Sequence, residues 1–82
     1  MSVEQLRNNV LNTSVVVHID ELLDEQRRET IECTMEEVEG VGNARFNETR
    51  HHLLIVDYDP KRVNSCAILT RVKLQHLHAQ LI

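Results

Sequence analysis

Apolar residues along the chain change their spacing several times, and these changes divide it into successive predicted elements. A β-branched run from Ser14 to Ile19 predicts a strand. Apolar residues then recur every three or four positions from Glu21 to Glu39, which predicts an amphipathic helix. Within Val38 to Val63, two apolar runs predict a β-hairpin. The segment from Asp59 to about Leu74 predicts a second helix, and the alternation from His76 to Ile82 predicts a last strand.

Residues that start or stop helices mark the boundaries of these elements. Asp20 is expected to cap the N-terminus of the first helix. Gly40 is expected to follow the C-terminus of that helix with a left-handed backbone conformation. Pro60 is expected to open the second helix, with Asp59 as its N-cap. These signals predict the order helix, hairpin, helix in the middle of the chain.

The two faces of each element follow from its period. On the first strand, Val15, Val17 and Ile19 share one face, whereas Val16 and His18 share the other. The predicted inward residues elsewhere are Leu23, Arg27, Ile31, Thr34, Met35 and Val38 on the first helix, Val63, Ala67, Ile68 and Val72 on the second, and Leu77, Ala79 and Leu81 on the last strand.

The resulting order βαββαβ predicts an α+β, ferredoxin-like domain over residues 14–82. In this fold a four-stranded antiparallel sheet carries two helices on one face and leaves the other face open. Residues 1–13 have apolar side chains at near-helical spacing, interrupted by asparagines, and are predicted to form a tail or a short helix. This segment is one candidate to cover the open sheet face.

Length and composition exclude several functions. A chain of 82 residues has room for one domain with a small core, and its formal charge of −4 and 2% aromatic content argue against nucleic-acid binding. No apolar run approaches the roughly 20 residues needed to cross a bilayer, so we expect a soluble, cytoplasmic protein. Cys33 and Cys66 are interpreted as buried or half-buried thiols on the two helices. No combination of a nucleophile with a histidine or carboxylate base indicates an enzyme.

Several short motifs carry a family resemblance. Gly40-Val41, the alternation through Ala44 and Phe46, and Val56-Asp57-Tyr58-Asp59-Pro60 followed by Val63 resemble the heavy-metal-associated (HMA) domain of copper chaperones and metal-pumping ATPases. The resemblance covers about residues 14–82 and implies the ferredoxin-like fold. In that family the domain binds a metal ion.

The metal-binding loop of that family is absent. The family carries Met-x-Cys-x-x-Cys between the first strand and first helix, where two thiolates hold a soft ion such as Cu(I). Counted back from Gly40, the two cysteine positions fall on Asp24 and Arg27, and an arginine cannot ligate a cation. A glycine late in the family pattern is also missing, with His76 near its place. The resemblance therefore implies the fold without the thiolate site.

Histidines form the remaining candidate metal site. His18, His76 and His78 are predicted to emerge together on the open sheet face, where they could bind Zn²⁺, Cu²⁺ or Ni²⁺ without any thiolate. The alternative is that all three are simply exposed. His51 and His52 lie beside the predicted hairpin turn, and because adjacent residues on a strand point apart, a joint chelate is not expected from them.

The open sheet face is also a candidate interaction surface. Apolar patches on small domains generally mark association with a partner protein or with a second copy, most simply as a symmetric homodimer. The preferred function is therefore a non-enzymatic association domain, linked to metal handling or transport, and the alternative is a metal-binding module that uses histidines. A regulatory small-ligand module is a third possibility. The predicted interaction residues are Val16, His18, Leu53, Ile55, His76, His78 and Ile82.

Overall fold

A computed structural model of the chain describes residues 13–82 and contains the predicted six elements. They are β1 (Thr13–Ile19), α1 (Glu25–Glu36), β2 (Val41–Phe46), β3 (Leu53–Tyr58), α2 (Ser65–Lys73) and β4 (Ala79–Leu81). The strands form one sheet in the order β2-β3-β1-β4, and every neighbouring pair is antiparallel. The ferredoxin-like βαββαβ fold is thus confirmed.

The core lies between one face of the sheet and the two helices. Val17 and Ile19 of β1 and Leu54 and Val56 of β3 are fully buried, which confirms the predicted inward face of β1. The buried helix residues that pack against this face are Ile31 and Met35 of α1 and Ile68 and Val72 of α2.

The first helix starts later than predicted. Asp24, not Asp20, is its N-cap, and Asp24 Oδ1 accepts the Arg27 N–H at 2.8 Å. Asp20 instead extends the pairing of β1 with the last strand, because its N–H donates to the His78 carbonyl at 2.9 Å. The competing sheet hydrogen bond therefore moves the helix start to Glu25.

The second helix also starts later than Pro60. Pro60 lies in a turn, and Asp59 Oδ1 accepts the Lys61 N–H at 3.0 Å within that turn. Asn64 is the N-cap of α2, with its Oδ1 accepting the Ala67 N–H at 2.7 Å. The prediction that Asp59 caps this helix was wrong because Asp59 is buried and stabilises the preceding turn.

The ends of two strands and the exposure of four side chains also differ from the prediction. β1 already begins at Thr13, whereas β4 is limited to three residues, so His76 and His78 lie outside it. Arg27 and Ala67, predicted to face the core, are exposed. Cys33 and Cys66 lie on the two helices as predicted, but both thiols are exposed rather than buried.

The described part of the chain contains no helix that is long and apolar enough to cross a membrane. The predicted N-terminal tail or short helix falls almost entirely on residues 1–12, which lie outside the described residues. The prediction that this segment covers the open sheet face concerns the same residues.

Candidate functional site

The open sheet face, opposite the helices, brings together the apolar residues that the alternation predicts there. In the register of β1 and β3, Val16 is opposite Ile55 and His18 is opposite Leu53, and all four are half-buried. The Ile82 N–H donates to the Val16 carbonyl at 3.1 Å, which holds Ile82 beside β1 with 75% of its surface exposed. We use the term open sheet face for these five residues.

A polar cluster adjoins the open sheet face. Asp57 lies opposite Ser14, and its Oδ1 accepts the Ser14 hydroxyl at 2.6 Å. Its other oxygen, Oδ2, lies 3.4 Å from Nη1 of Arg45 on β2. The surface therefore has an apolar part and a margin in which both signs of charge occur.

The three histidines predicted to cluster occupy different settings. His18 lies on the open sheet face opposite Gln80 of β4, whereas His76 lies in the turn after α2. His78 precedes β4 and binds Glu21, with Nδ1 2.7 Å from Glu21 Oε2. Among residues 13–82, no three or more His, Cys, Asp or Glu side chains are grouped to hold a metal ion. Metal binding by His18, His76 and His78 stays a prediction.

The contact between His78 and Glu21 shifts the pKa of both groups. The Glu21 hydrogen bond, followed by its negative charge, raises the pKa of His78. The same hydrogen bond lowers the pKa of Glu21. Both main-chain and ring contacts are involved, since the His78 N–H also donates to the Glu21 carboxylate at 3.0 Å. The pair joins the start of β4 to the segment between β1 and α1.

A histidine contact that the sequence analysis missed lies beside the open sheet face. The rings of His18 and His52 are stacked, with centroids 5.9 Å apart and an angle of 24° between their planes. The His52 carbonyl accepts the Ile19 N–H at 2.8 Å, which extends the pairing of β1 and β3 and brings His52 next to β1. Strand alternation pairs His52 with the core residue Ile19 and would turn its ring away from His18, so the sequence pattern contains no signal for this contact. The neighbouring His51 bonds within its own turn, where its Nε2 contacts the Glu48 carbonyl at 2.9 Å.

The two positions that correspond to the cysteines of the HMA pattern both lie at the N-terminus of α1. Asp24 is the N-cap, and Arg27 is the third residue of the helix. The Arg27 guanidinium donates from Nη2 to the Gln75 carbonyl at 2.9 Å, and thereby connects the start of α1 with the end of α2. Asp24 therefore caps α1 and Arg27 links the two helices, and neither role requires a metal.

The outer edge of the sheet at β2 is covered by carboxylates of α1. Glu32 Oε2 accepts the Phe46 N–H at 2.8 Å, and Glu36 Oε2 accepts the Ala44 N–H at 3.2 Å. Both donors belong to an edge strand, whose outward N–H groups would otherwise be available to another strand. Two carboxylates of α1 thus partly close this edge.

Comparison with solved structures gives matches to copper-handling proteins at low sequence identity. A copper binding domain from the P-type ATPase HMA7 matches with a TM-score of 0.76 and 17% identity, over 84% of this chain and 92% of that one. The copper chaperone of Enterococcus hirae in its apo form matches with a TM-score of 0.74 and 15% identity, over 83% and 98%. The yeast copper transporter domain Ccc2a matches with a TM-score of 0.73 and 14% identity, over 84% and 93%.

These matches define the class of fold: the chain has the fold of copper-binding and copper-chaperone domains, at low sequence identity. No family model matches the sequence, and no curated protein does so either. The fold predicted from the Gly-Val and Tyr-Asp-Pro motifs is therefore confirmed in three dimensions. At identities of 14–17% the likeness concerns the fold alone.

Proposed function

We propose that this chain is a non-enzymatic association domain whose open sheet face binds a second copy of itself. The observation that carries the proposal is the apolar surface of Val16, Leu53, Ile55 and Ile82, which covers the sheet side away from the helices. Contiguous apolar surface of this kind on a small domain is stabilised when it is removed from water. A symmetric dimer would bury the same residues of both copies.

The margins of the sheet favour face-to-face association over pairing of edge strands. At β2, the Ala44 and Phe46 N–H groups are already engaged by Glu36 and Glu32. At the opposite edge, β4 has only three residues and offers few free backbone groups. Association through an extended sheet is thus disfavoured at both edges. Arg45 and Asp57 add charges of both signs, which a second copy can complement.

The proposed setting is metal handling or transport, without a thiolate site in this domain. The similar structures are described as copper-binding or copper-chaperone domains. In this chain Asp24 and Arg27 occupy the positions that the HMA pattern assigns to cysteines. A domain with this fold and no soft-metal ligands at those positions is suited to associate with other molecules of such a system rather than to carry its ion.

Analytical ultracentrifugation of the full chain tests the proposal. We expect a dimer, and we expect Ile55→Lys to shift it to monomer because a charge would be buried at the centre of the interface. Leu74→Lys is the matched control, since Leu74 is 68% exposed at the end of α2, away from the open sheet face. Circular dichroism shows whether both variants fold.

A shortened chain that begins at Ser14 separates self-association from coverage by the N-terminal segment. If that segment competes for the open sheet face, its removal strengthens the dimer. A monomer with both lengths of chain would exclude self-association.

A second candidate function is transition-metal binding by histidines. The observation that favours it is the stacked contact of His18 with His52, rather than the set His18, His76 and His78. Titration with Zn²⁺, Cu²⁺ or Ni²⁺ distinguishes the two sets, because only the ring resonances of true ligands shift specifically at micromolar metal. No shift at any histidine excludes this function.

A further inference from the structure

We infer that His18 and His52 form half of a zinc or nickel site that a second copy of the chain completes. The inference rests on the proposed self-association through the open sheet face and adds a metal-dependent regulation to it. Neither ring belongs to the segment between β1 and α1, where the HMA pattern has its cysteines. The site would therefore be separate from the one that the resemblance implies.

Hydrogen bonding prepares the His52 ring as a ligand. Its Nδ1 lies 3.0 Å from the Ile19 carbonyl oxygen, and a carbonyl can only accept, so Nδ1 carries the proton. In the neutral ring the lone pair is then on Nε2, which no described residue hydrogen-bonds. Histidines that ligate metals commonly donate their other ring N–H to a backbone carbonyl in this way. His52 is exposed, so a metal ion can reach it.

The His18 ring has an unsatisfied nitrogen that points to the same role. Its Nδ1 is enclosed and has no hydrogen-bond partner among the described residues. The nearest carboxylate oxygen, Asp20 Oδ1, lies 3.2 Å away, close enough for an ion pair but outside hydrogen-bond geometry. With a metal on Nε2, Nδ1 would carry a proton that faces Asp20. A small ring rotation then gives the carboxylate–histidine–metal arrangement that stabilises many such sites.

Two imidazoles from one chain leave the coordination shell incomplete. Structural zinc sites take four protein ligands, and no third His, Cys, Asp or Glu joins the pair within residues 13–82. A two-fold axis through the open sheet face brings the same pair from a second chain opposite the first. His18 lies on β1, one of the two central strands, and a two-fold axis that passes beside His18 would place the four imidazoles of the two chains at one interface.

The donor set selects the class of metal. Neutral imidazole nitrogens suit Zn²⁺, Ni²⁺ and Cu²⁺, whereas Cu(I) prefers thiolates. The exposed thiols of Cys33 and Cys66 lie on the helices, which cover the opposite face of the sheet. We therefore expect zinc and nickel to strengthen the dimer, and Cu(I) to leave it unchanged.

Sedimentation of the full chain with EDTA, and with a slight excess of Zn²⁺ in its place, tests this inference. We expect zinc to lower the dimer dissociation constant at least about tenfold, since it binds only the associated state fully. Isothermal titration should give one Zn²⁺ for two chains. His18→Gln and His52→Gln should each abolish the zinc effect. Because His52 is exposed, we expect the second variant to fold like the natural chain.

His51→Gln is the matched control because His51 is the adjacent histidine and bonds only within its own turn. It should leave the zinc effect intact. A dimer with the same dissociation constant in EDTA and in zinc overturns the metal site but leaves the proposed function standing. A monomer under both conditions overturns both. A stoichiometry of one Zn²⁺ per monomer also overturns the inference. So does a zinc effect on the dimer dissociation constant of His52→Gln that equals the effect on the natural chain.

Discussion

Gly40 is the glycine with left-handed backbone among the described residues, and its side-chain space is already occupied. Its φ is +95°, and a Cβ built there would lie 2.8 Å from Val63 Cγ1. The Gly40 carbonyl also accepts the Asp59 N–H at 2.8 Å, which ties the turn before β2 to the end of β3. Backbone conformation and packing therefore both require glycine here.

We predict that Gly40→Ala lowers the free energy of unfolding by about 1–3 kcal/mol, from left-handed strain together with the contact to Val63. Urea unfolding at neutral pH measures the change. Gly42→Ala is the control, since Gly42 is exposed on β2 and does not have positive φ. An equal loss in the two variants would contradict the role of the left-handed conformation.

Single residues also show where sequence reasoning was limited. Gly40 was predicted to be left-handed because glycine has no Cβ penalty, and the structure confirms it. His76 was placed only near a glycine of the family pattern, yet it too is left-handed, with φ of +66°. Asp20 and Asp24 are both good N-caps by residue type. The choice between them depends on the hydrogen bond from Asp20 to His78, 58 residues away, which no local pattern contains.

At the level of elements, α1 does more than cover the core. It also supplies the carboxylates of Glu32 and Glu36 to the outward N–H groups of β2. We predict that the double variant Glu32→Ala/Glu36→Ala speeds amide hydrogen exchange at Ala44 and Phe46, because these donors lose their acceptors. It should also increase concentration-dependent association, since an uncovered edge strand pairs with other chains.

Glu29→Ala provides the comparison for this prediction. Glu29 lies on the exposed side of the same helix, and its side chain makes no hydrogen bond or ion pair with the described residues. Its removal changes the charge of α1 by one unit without touching β2. Exchange rates at Ala44 and Phe46 that rise as much in this variant would mean that charge, rather than the two contacts, protects the edge.

At the level of the whole molecule, the fold was predictable because each element has a clear apolar period. Alternation assigned Val17 and Ile19 to the core and Val16 and His18 to the open sheet face, as observed. The site was less predictable because the His18 to His52 contact depends on register and loop shape. The predicted length of β4 was wrong for a similar reason. The alternating pattern continues through His76 and His78, but His76 lies in the turn after α2 and His78 lies between that turn and β4.

The pair of His78 and Glu21 makes the stability of the whole domain depend on pH, because it joins β4 to the segment before α1. The pKa of His78 is raised above its ordinary 6.5, chiefly by the Glu21 hydrogen bond and in small part by the charge of Asp20. This contribution is complete below pH 6.5 and is lost as pH rises through the folded-state pKa. The pKa of Glu21 is lowered below 4.5, so its contribution is present above pH 4.5 and is lost as pH falls further.

We therefore predict that the stability difference between the natural chain and His78→Gln is largest between pH 4.5 and 6.5. Urea midpoints measured at closely spaced pH values should show the difference shrinking above that window, as the folded-state imidazole loses its proton. A difference that stays constant from pH 5 to about pH 9, past the ordinary histidine range, would mean that the ring contact with Glu21 does not depend on charge. The backbone N–H of residue 78 donates to Glu21 in both proteins, so the difference between them reports the ring contact alone.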